Sequence, residues 1–285
     1  MTMKIVFKVS LLILAVTIVI AFIYSQHMKR TYNNEVKIGL ERIKAIEPEI
    51  LTEDDIQHLP LVVQKYLRYV GVIGKEKIVN FRAEFEGKIR GNPDDGWMKL
   101  KSVQYNFTDQ PTRIFYITAS KMGIPAVGIH LYKDEKAIML IKLLGLFTVS
   151  DAKGPEMDQG ETVTVFNDMC LMAPATLVDK NIIWESVDSL TVKARFTNGH
   201  INIGATLFFN PKGELINFIS NDRFETKDGK TYKNSPWFTP VEGYQDLNGF
   251  RLPTSAKTIY KHPDGDFCYG EFLIKNIEYN CKELK

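Results

Sequence analysis

The chain has 285 residues, of which 45% are hydrophobic, 25% charged and 11% aromatic, enough apolar material for one large core. Thirty-six Lys and Arg stand against 34 Asp and Glu, and a formal charge of +2 lacks the basic excess that holds phosphate backbones, so nucleic acid is not an expected partner. Cys170, Cys268 and Cys281 form no C-x-x-C pair and signal neither a zinc site nor a disulfide framework; they read as small apolar fillers, with a Cys268–Cys281 disulfide as the alternative.

From Val9 to Tyr24 the chain is apolar apart from Ser10 and Thr17. Ile5, Val6 and Phe7 extend the run to about 20 residues, roughly 30 Å of helix and enough to span a bilayer. Lys8 lies near one end, where its stem can follow the helix while the ammonium reaches the headgroups. The exit, Ala21-Phe22-Ile23-Tyr24-Ser25-Gln26, lacks the small residues of a cleavage site, and no cysteine follows for lipid attachment. Residues 1–27 are therefore expected to be an uncleaved transmembrane signal anchor in the cell membrane. Lys4 and Lys8 precede it and Lys29, Arg30, Lys37, Arg42 and Lys44 follow, a count that favours a cytoplasmic domain. A short N-tail before one span and a large domain is the signal-anchor arrangement, and on that ground the domain is expected outside the cytoplasm.

Val36, Leu40 and Ile43 recur at helical spacing among charges, so residues 28–51 read as an amphipathic stalk holding the domain off the bilayer. Residues 52–285 read as a single β-rich domain. Thr52 and Asp55 form a capping box, and Leu59-Pro60 opens a second helix that stops at Gly71. From Val79 the period becomes two: Val79, Phe81, Ala83, Phe85 and Ile89 alternate with Asn80, Arg82, Glu84, Glu86 and Lys88, a half-buried strand. Strand-like runs follow at 97–107, 113–119, 128–133 and 137–143. Asp158 to Thr176 reads as a helix with Val165, Met169 and Met172 on one side and Pro174 near its end. Beyond it, alternating runs are punctuated by Asn198-Gly199, Asn210-Pro211-Lys212-Gly213, Lys227-Asp228-Gly229 and Pro263-Asp264-Gly265, the signature of serial hairpins.

No catalytic, metal-binding or cofactor-binding pattern stands out. His27, His58, His130, His200 and His262 stand apart from one another and from Cys, and read as surface or turn residues. Gly123-Ile124-Pro125-Ala126-Val127-Gly128 lacks the lysine of a phosphate loop. Asn221-Asp222-Arg223 is the most notable polar cluster, placed within a strand from Leu215 to Phe224, where Arg223 would pair with Glu225 or meet an anionic head group. Trp184, Trp237, Tyr244, Tyr260 and Tyr269 suit a core or the mouth of an apolar pocket.

Leu59-Pro60, Tyr66-Leu67-Arg68, Gly71, Gly87, Gly154-Pro155-Glu156, Pro174, Trp184, Gly213, Arg223, Trp237, Gly249, Pro253, Tyr269 and Tyr279-Asn280, taken as a set, resemble an uncharacterised bacterial family of domains of unknown function. The resemblance covers about Leu59 to Asn280 and implies no activity. Where that family carries an Arg-Tyr pair and a Glu before Pro174, this chain has Val165-Phe166 and Asp168. More distantly, a long curved meander plugged by a helix looks like the LolA-type carriers that shield lipid chains. The expected fold is mainly β with a few helices (α+β), a curved antiparallel half-barrel with a helix packed on it. The expected function is non-enzymatic binding of an apolar or amphipathic ligand such as a lipid, with Met169, Met172, Trp184, Arg223, Trp237, Tyr244, Tyr260 and Tyr269 as candidate ligand contacts. An enzyme built around Asp222, Arg223 and Glu242, and a structural or partner-binding envelope protein, are the alternatives.

Overall fold

The computed structural model describes residues 2–285, with the side chains of residues 5–13, 16, 19 and 26–285. Three helices come first: α1 (Thr2–Ile43), α2 (Glu53–Ile56) and α3 (Leu61–Val70). The Thr52–Asp55 capping box opens α2, and Gly71 closes α3 in the left-handed conformation at φ 81°.

A first antiparallel meander then runs through β1 (Asn80–Ile89), β2 (Met98–Phe107), β3 (Thr112–Lys121), β4 (Ile124–Lys133), β5 (Lys136–Leu143) and β6 (Phe147–Lys153). Helix α4 (Pro155–Met172) and a 3-10 turn (Pro174–Val178) lead to the second half. There β7 (Ile182–Ser186), β8 (Thr191–Asn198), β9 (Ile201–Phe209) and β10 (Leu215–Ser220) precede the small hairpin β11 (Phe224–Glu225) and β12 (Lys233–Asn234). The last strands are β13 (Trp237–Phe238), β14 (Val241–Leu247), β15 (Phe250–His262) and β16 (Gly265–Tyr279).

All strands but β11 and β12 join one 14-stranded sheet in the order β6-β5-β4-β3-β2-β1-β16-β15-β13-β10-β9-β8-β7, with β14 beside β15. The chain's first and last strands therefore meet at the centre, from Phe81 opposite Tyr279 to Ile89 opposite Gly270. Gly87 sits in this seam because a Cβ there would collide with the Glu271 carbonyl oxygen.

Nine strand steps separate β5 from β9, roughly 43 Å if the sheet were flat, yet α4 touches both, as well as β4, β6, β10 and β15. Only a sheet curled around the helix allows this. The ends of the curl also meet directly: Asn198 Nδ2 donates to the Tyr132 hydroxyl at 2.7 Å, and the His200 amide to Glu135 at 3.2 Å. The domain is thus mainly β, a curled antiparallel sheet around a helix, as the alternation and turn chemistry predict.

The opposite face is covered by α1. Met28, Tyr32, Val36, Leu40 and Ile43 pack on Tyr105, Phe107, Ile114, Val127, Ile129 and Leu131, and Arg42 makes a two-toothed pair with Asp109 at 2.7 and 2.9 Å. The amphipathic face of residues 28–43 is as expected, but the segment lies on the sheet instead of standing free as a stalk. For the same reason Arg82, expected on a wet face, is buried. Among the described residues no helix is long and apolar enough to cross a membrane. Of the run expected as an anchor, Leu14, Ala15, Thr17, Ile18 and residues 20–25 lie outside the described side chains. The three cysteines are free.

If α1 is part of the fold, Leu40→Ala should lower the free energy of unfolding in denaturant by about 2–4 kcal/mol. Ile38→Ala, at a position 59% exposed, should cost less than about 0.5 kcal/mol. Equal, small effects at both positions would mean that the helix does not pack.

Candidate functional site

Helix α4 is the organising element of the concave face. Pro155 starts it at the first helical position, and Glu156 and Asp158 supply negative charge to its first turn. Asp158 also ties it to the sheet, accepting from the Ala137 amide at 2.7 Å and the Lys136 ammonium at 2.9 Å. Met157 and Asp158 are buried, as is every residue from Gly160 to Met172. One side is apolar: Phe166 stacks on Phe196 at 5.2 Å and meets Phe218 edge-on at 5.8 Å.

Another side carries Glu161, Thr164 and Asp168, spaced to share one helical face. Arg113 of β3 bridges the two acids: its Nε donates to Asp168 at 2.9 Å, Nη1 to Glu161 at 3.1 Å and Nη2 to the Gln104 side-chain oxygen at 3.3 Å. Asp168 also accepts from Gln104 at 3.0 Å and Asn106 at 2.9 Å. Arg223 approaches from beyond β10, donating to the Gly160 carbonyl at 2.6 Å and to Thr164 Oγ1, with Glu161 at 3.7 Å. Its guanidinium lies 4.7 Å over the Trp237 ring, and Trp237 Nε1 donates to the Tyr269 hydroxyl at 3.0 Å. His130 Nδ1 stands 3.9 Å from Glu161.

Burial opposes charge on the Glu161 carboxyl, but His130 and the guanidiniums of Arg113 and Arg223 override it and hold Glu161 well below the usual carboxylate range. Burial raises Asp168 against the pull of Arg113 and the two amides. Burial also holds His130 below its ordinary value against the attraction of Glu161, which favours the neutral ring.

Beside this cluster lies a cavity of about 190 Å³ between α4 and the sheet. Arg113, Glu161, Asp168 and Arg223 form its inner end, and Phe115, Ile117, Ile141, Phe272 and Ile274 line its apolar length. Ile89, Ile117, Ile141, Phe272 and Ile274 are only half-buried, as are Thr254, Ser255 and Thr258 of β15, so the mouth is mainly apolar with three hydroxyls along one wall.

Of the expected contacts, Met172, Arg223, Trp237 and Tyr269 line the cavity. Tyr260 stands behind, stacked on Tyr269 at 5.2 Å with its hydroxyl donating to the Phe224 carbonyl at 3.1 Å. Met169 faces a separate crevice with Phe81 and Phe107. Trp184 is in edge strand β7, against Phe166, and Tyr244 packs edge-on to Tyr69 and donates to the Leu215 carbonyl. The 221–223 cluster is not within a strand, because β10 ends at Ser220. Asp222 instead accepts from the Gly204 amide at 2.6 Å, and Glu242 is exposed on β14. Glu225 pairs with His262, at the end of β15 beside the Pro263–Asp264 turn, at 2.8 Å and not with Arg223; His130, expected at the surface or in a turn, lines the cavity from within β4. The sequence singles out neither Arg113 nor Glu161, reads His130 as a surface or turn residue, and marks Asp168 only through the resemblance; the 161–164–168 spacing is the signal that places Glu161 and Asp168 on one face of the helix.

Two outcomes follow from the cluster. Arg113→Met strands Glu161 and Asp168 in the interior and should cost about 3–5 kcal/mol in denaturant unfolding. Folded His130 is harder to protonate than the unfolded imidazole near 6.5, so its contribution is complete above that pH and is lost as acid charges the unfolded chain. The melting temperature should therefore fall between pH 7 and 5.5 with a slope that His130→Gln reduces; an unchanged slope would contradict a buried neutral ring.

No curated protein matches this sequence. Among solved structures, a LolA superfamily protein from Nitrosomonas europaea is similar at 8% identity and TM-score 0.45, covering 79% of this chain and 93% of its own. A putative outer membrane lipoprotein-sorting protein domain from Vibrio parahaemolyticus is similar at 10% identity and TM-score 0.41, with the same coverage. A DUF1329 family protein from Desulfovibrio piger is similar at 11% identity and TM-score 0.36, covering 78% of this chain and 93% of its own. The family model that matches spans residues 49–272, from ahead of α2 into β16, and the chain belongs to that family of unknown function, DUF6544.

Proposed function

We propose that the protein is a membrane-anchored, non-enzymatic module that takes the alkyl part of a single-chain amphiphile into the cavity between α4 and the sheet. The apolar cavity with one polar end is the observation that carries this reading. Its volume of about 190 Å³ is close to the ~150 Å³ of an apolar cavity that stays dry and admits a benzene-sized molecule. That is room for a segment of one chain and not for a two-chain lipid.

Charge at the inner end narrows the head group. Arg113 is engaged on all three nitrogens, and Arg223 is opposed by Glu161, so two guanidiniums and two carboxylates cancel. A further buried anion would lack a counter-charge. Arg223 Nε is buried with no hydrogen-bond partner among the described residues and suits an uncharged acceptor such as an ester, amide or alcohol oxygen.

Calorimetric titration of the full-length protein tests this directly. A monoacylglycerol should bind with 1:1 stoichiometry, and the fatty acid of equal chain length at least tenfold more weakly at pH 7.5. Ile141→Trp, which fills the mouth, should weaken both by tenfold or more; binding that ignores Ile141→Trp would place the ligand elsewhere.

The anchoring half of the reading is supported by the apolar run in α1, where Ile5, Val6, Phe7, Val9, Leu11, Leu12, Ile13, Val16 and Val19 are exposed. Full-length protein should resist carbonate extraction from membranes, and protease added to spheroplasts should digest the domain if it lies outside the cytoplasm. Release by carbonate would remove the anchor, and survival of the domain would reverse its orientation.

A further inference from the structure

We infer that the end of the domain formed by the β3–β4 and β5–β6 turns lies in the interface of the bilayer that holds α1, so that the cavity opens into lipid and its ligand is a membrane component. This rests on the anchored reading above and adds the direction from which the ligand arrives.

The first support is position. Helix α1 runs antiparallel to β3: Arg42 meets Asp109 and Thr112 at the start of the strand, and Tyr32 meets Tyr116 farther along it. From Tyr116 to the β3–β4 turn is about 20 Å of strand, whereas α1 continues from Tyr32 back to Thr2 for about 45 Å. The exposed apolar residues of its first half therefore project beyond that turn.

The second support is continuity of the apolar surface. Residues of one parity in β3, β4 and β5 lie on the cavity side of the sheet, Phe115, Ile117 and Ala119 opposite His130, Gly128 and Ala126 and these opposite Met139, Ile141 and Leu143; Phe115, Ile117, His130 and Ile141 line the cavity itself. The same row leads outward to Ile124, Leu143 and Phe147, with Leu143 opposite Phe147. All three are exposed, Phe147 at 62%, and Met122 at the β3–β4 turn is 95% exposed. Lys121, opposite Ile124, is the one charged residue of this row between the cavity and the turns.

The third is charge. From Ile114 to Leu131 and from Ile138 to Ser150 the only Lys, Arg, Asp or Glu residues are Lys121, whose side chain runs beside Gly96 of the β1–β2 loop, and Lys142, so this end carries no carboxylate to repel an anionic head-group layer. The turns at the other end of the same strands carry Asp109, Asp134 and Glu135. On the membrane side, Asp94 and Asp95 of the β1–β2 loop mark the edge of the contact, which is confined to β3–β6.

The test uses full-length protein reconstituted in phosphatidylcholine vesicles whose acyl chains carry bromine. Met122→Trp and Phe147→Trp add fluorescence at the turns, and Leu61→Trp adds it at an 81% exposed site on α3. The added emission at both turns should be quenched at least twofold relative to unbrominated vesicles, with that at Leu61→Trp unchanged. Turn tryptophans quenched no more than Leu61→Trp, or shielded only when a second protein is added, would overturn the inference. Monoacylglycerol binding measured on the same preparations separates the two readings: binding without quenching defeats only the docking, and quenching without binding supports the docking while defeating the ligand.

Discussion

The architecture depends on Arg113 holding the charged side of α4 to the sheet. A helix enclosed by a curled sheet has no wet face on which to put Glu161 and Asp168, and an unpaired buried carboxylate is prohibitively unstable. One guanidinium bridging both acids, backed by Gln104 and Asn106, resolves this. The arrangement also fixes how the sheet curls, because β2 and β3 must present Gln104, Asn106 and Arg113 to the same turn of helix.

The cavity follows from that constraint. Around Phe166 the helix sits tightly on β8 through a stacked ring and on β10 through an edge-on one, but on the Arg113 side polar contacts hold it to the strands at the length of a side chain. The space beyond is left to Ile117, Ile141, Phe272 and Ile274, which face one another across it and are only half-buried. Rigid polar bonds at one end and loosely covered apolar walls at the other suit a site that keeps its shape while admitting a flexible chain.

Much of the fold is legible in the sequence because it is written in local chemistry. Alternation from Val79 marks β1, Leu59-Pro60 and Gly71 bracket α3, and the helix expected from Asp158 to Thr176 is α4, which starts three residues earlier at Pro155 and ends at Met172 ahead of Pro174. What was not legible is long-range. Nothing local says that β1 pairs with β16, although Gly87 records how closely they approach. Nor does the pattern of residues 28–43 reveal that their apolar face meets β3 and β4, since an amphipathic stalk and a docked helix share one periodicity. The site is hidden for a related reason: Arg113 and His130 sit in strand-like runs where nothing local shows that α4 lies over them. Of the aromatic residues singled out, Trp237 and Tyr269 reach the cavity and Trp184 and Tyr244 do not, because ring chemistry alone does not tell a wall from a core.

The central claim is that an alkyl chain occupies the space between α4 and the sheet, and locating the chain tests it most directly. The full-length protein, reconstituted with a monoacylglycerol bearing a photoactivatable diazirine on its acyl chain, is irradiated and the adducts are mapped by peptide mass spectrometry. The account predicts adducts on cavity residues such as Ile117, Ile141, Phe272 or Ile274, lost in Ile141→Trp. Adducts confined to the first half of α1, unchanged in that variant, would contradict it.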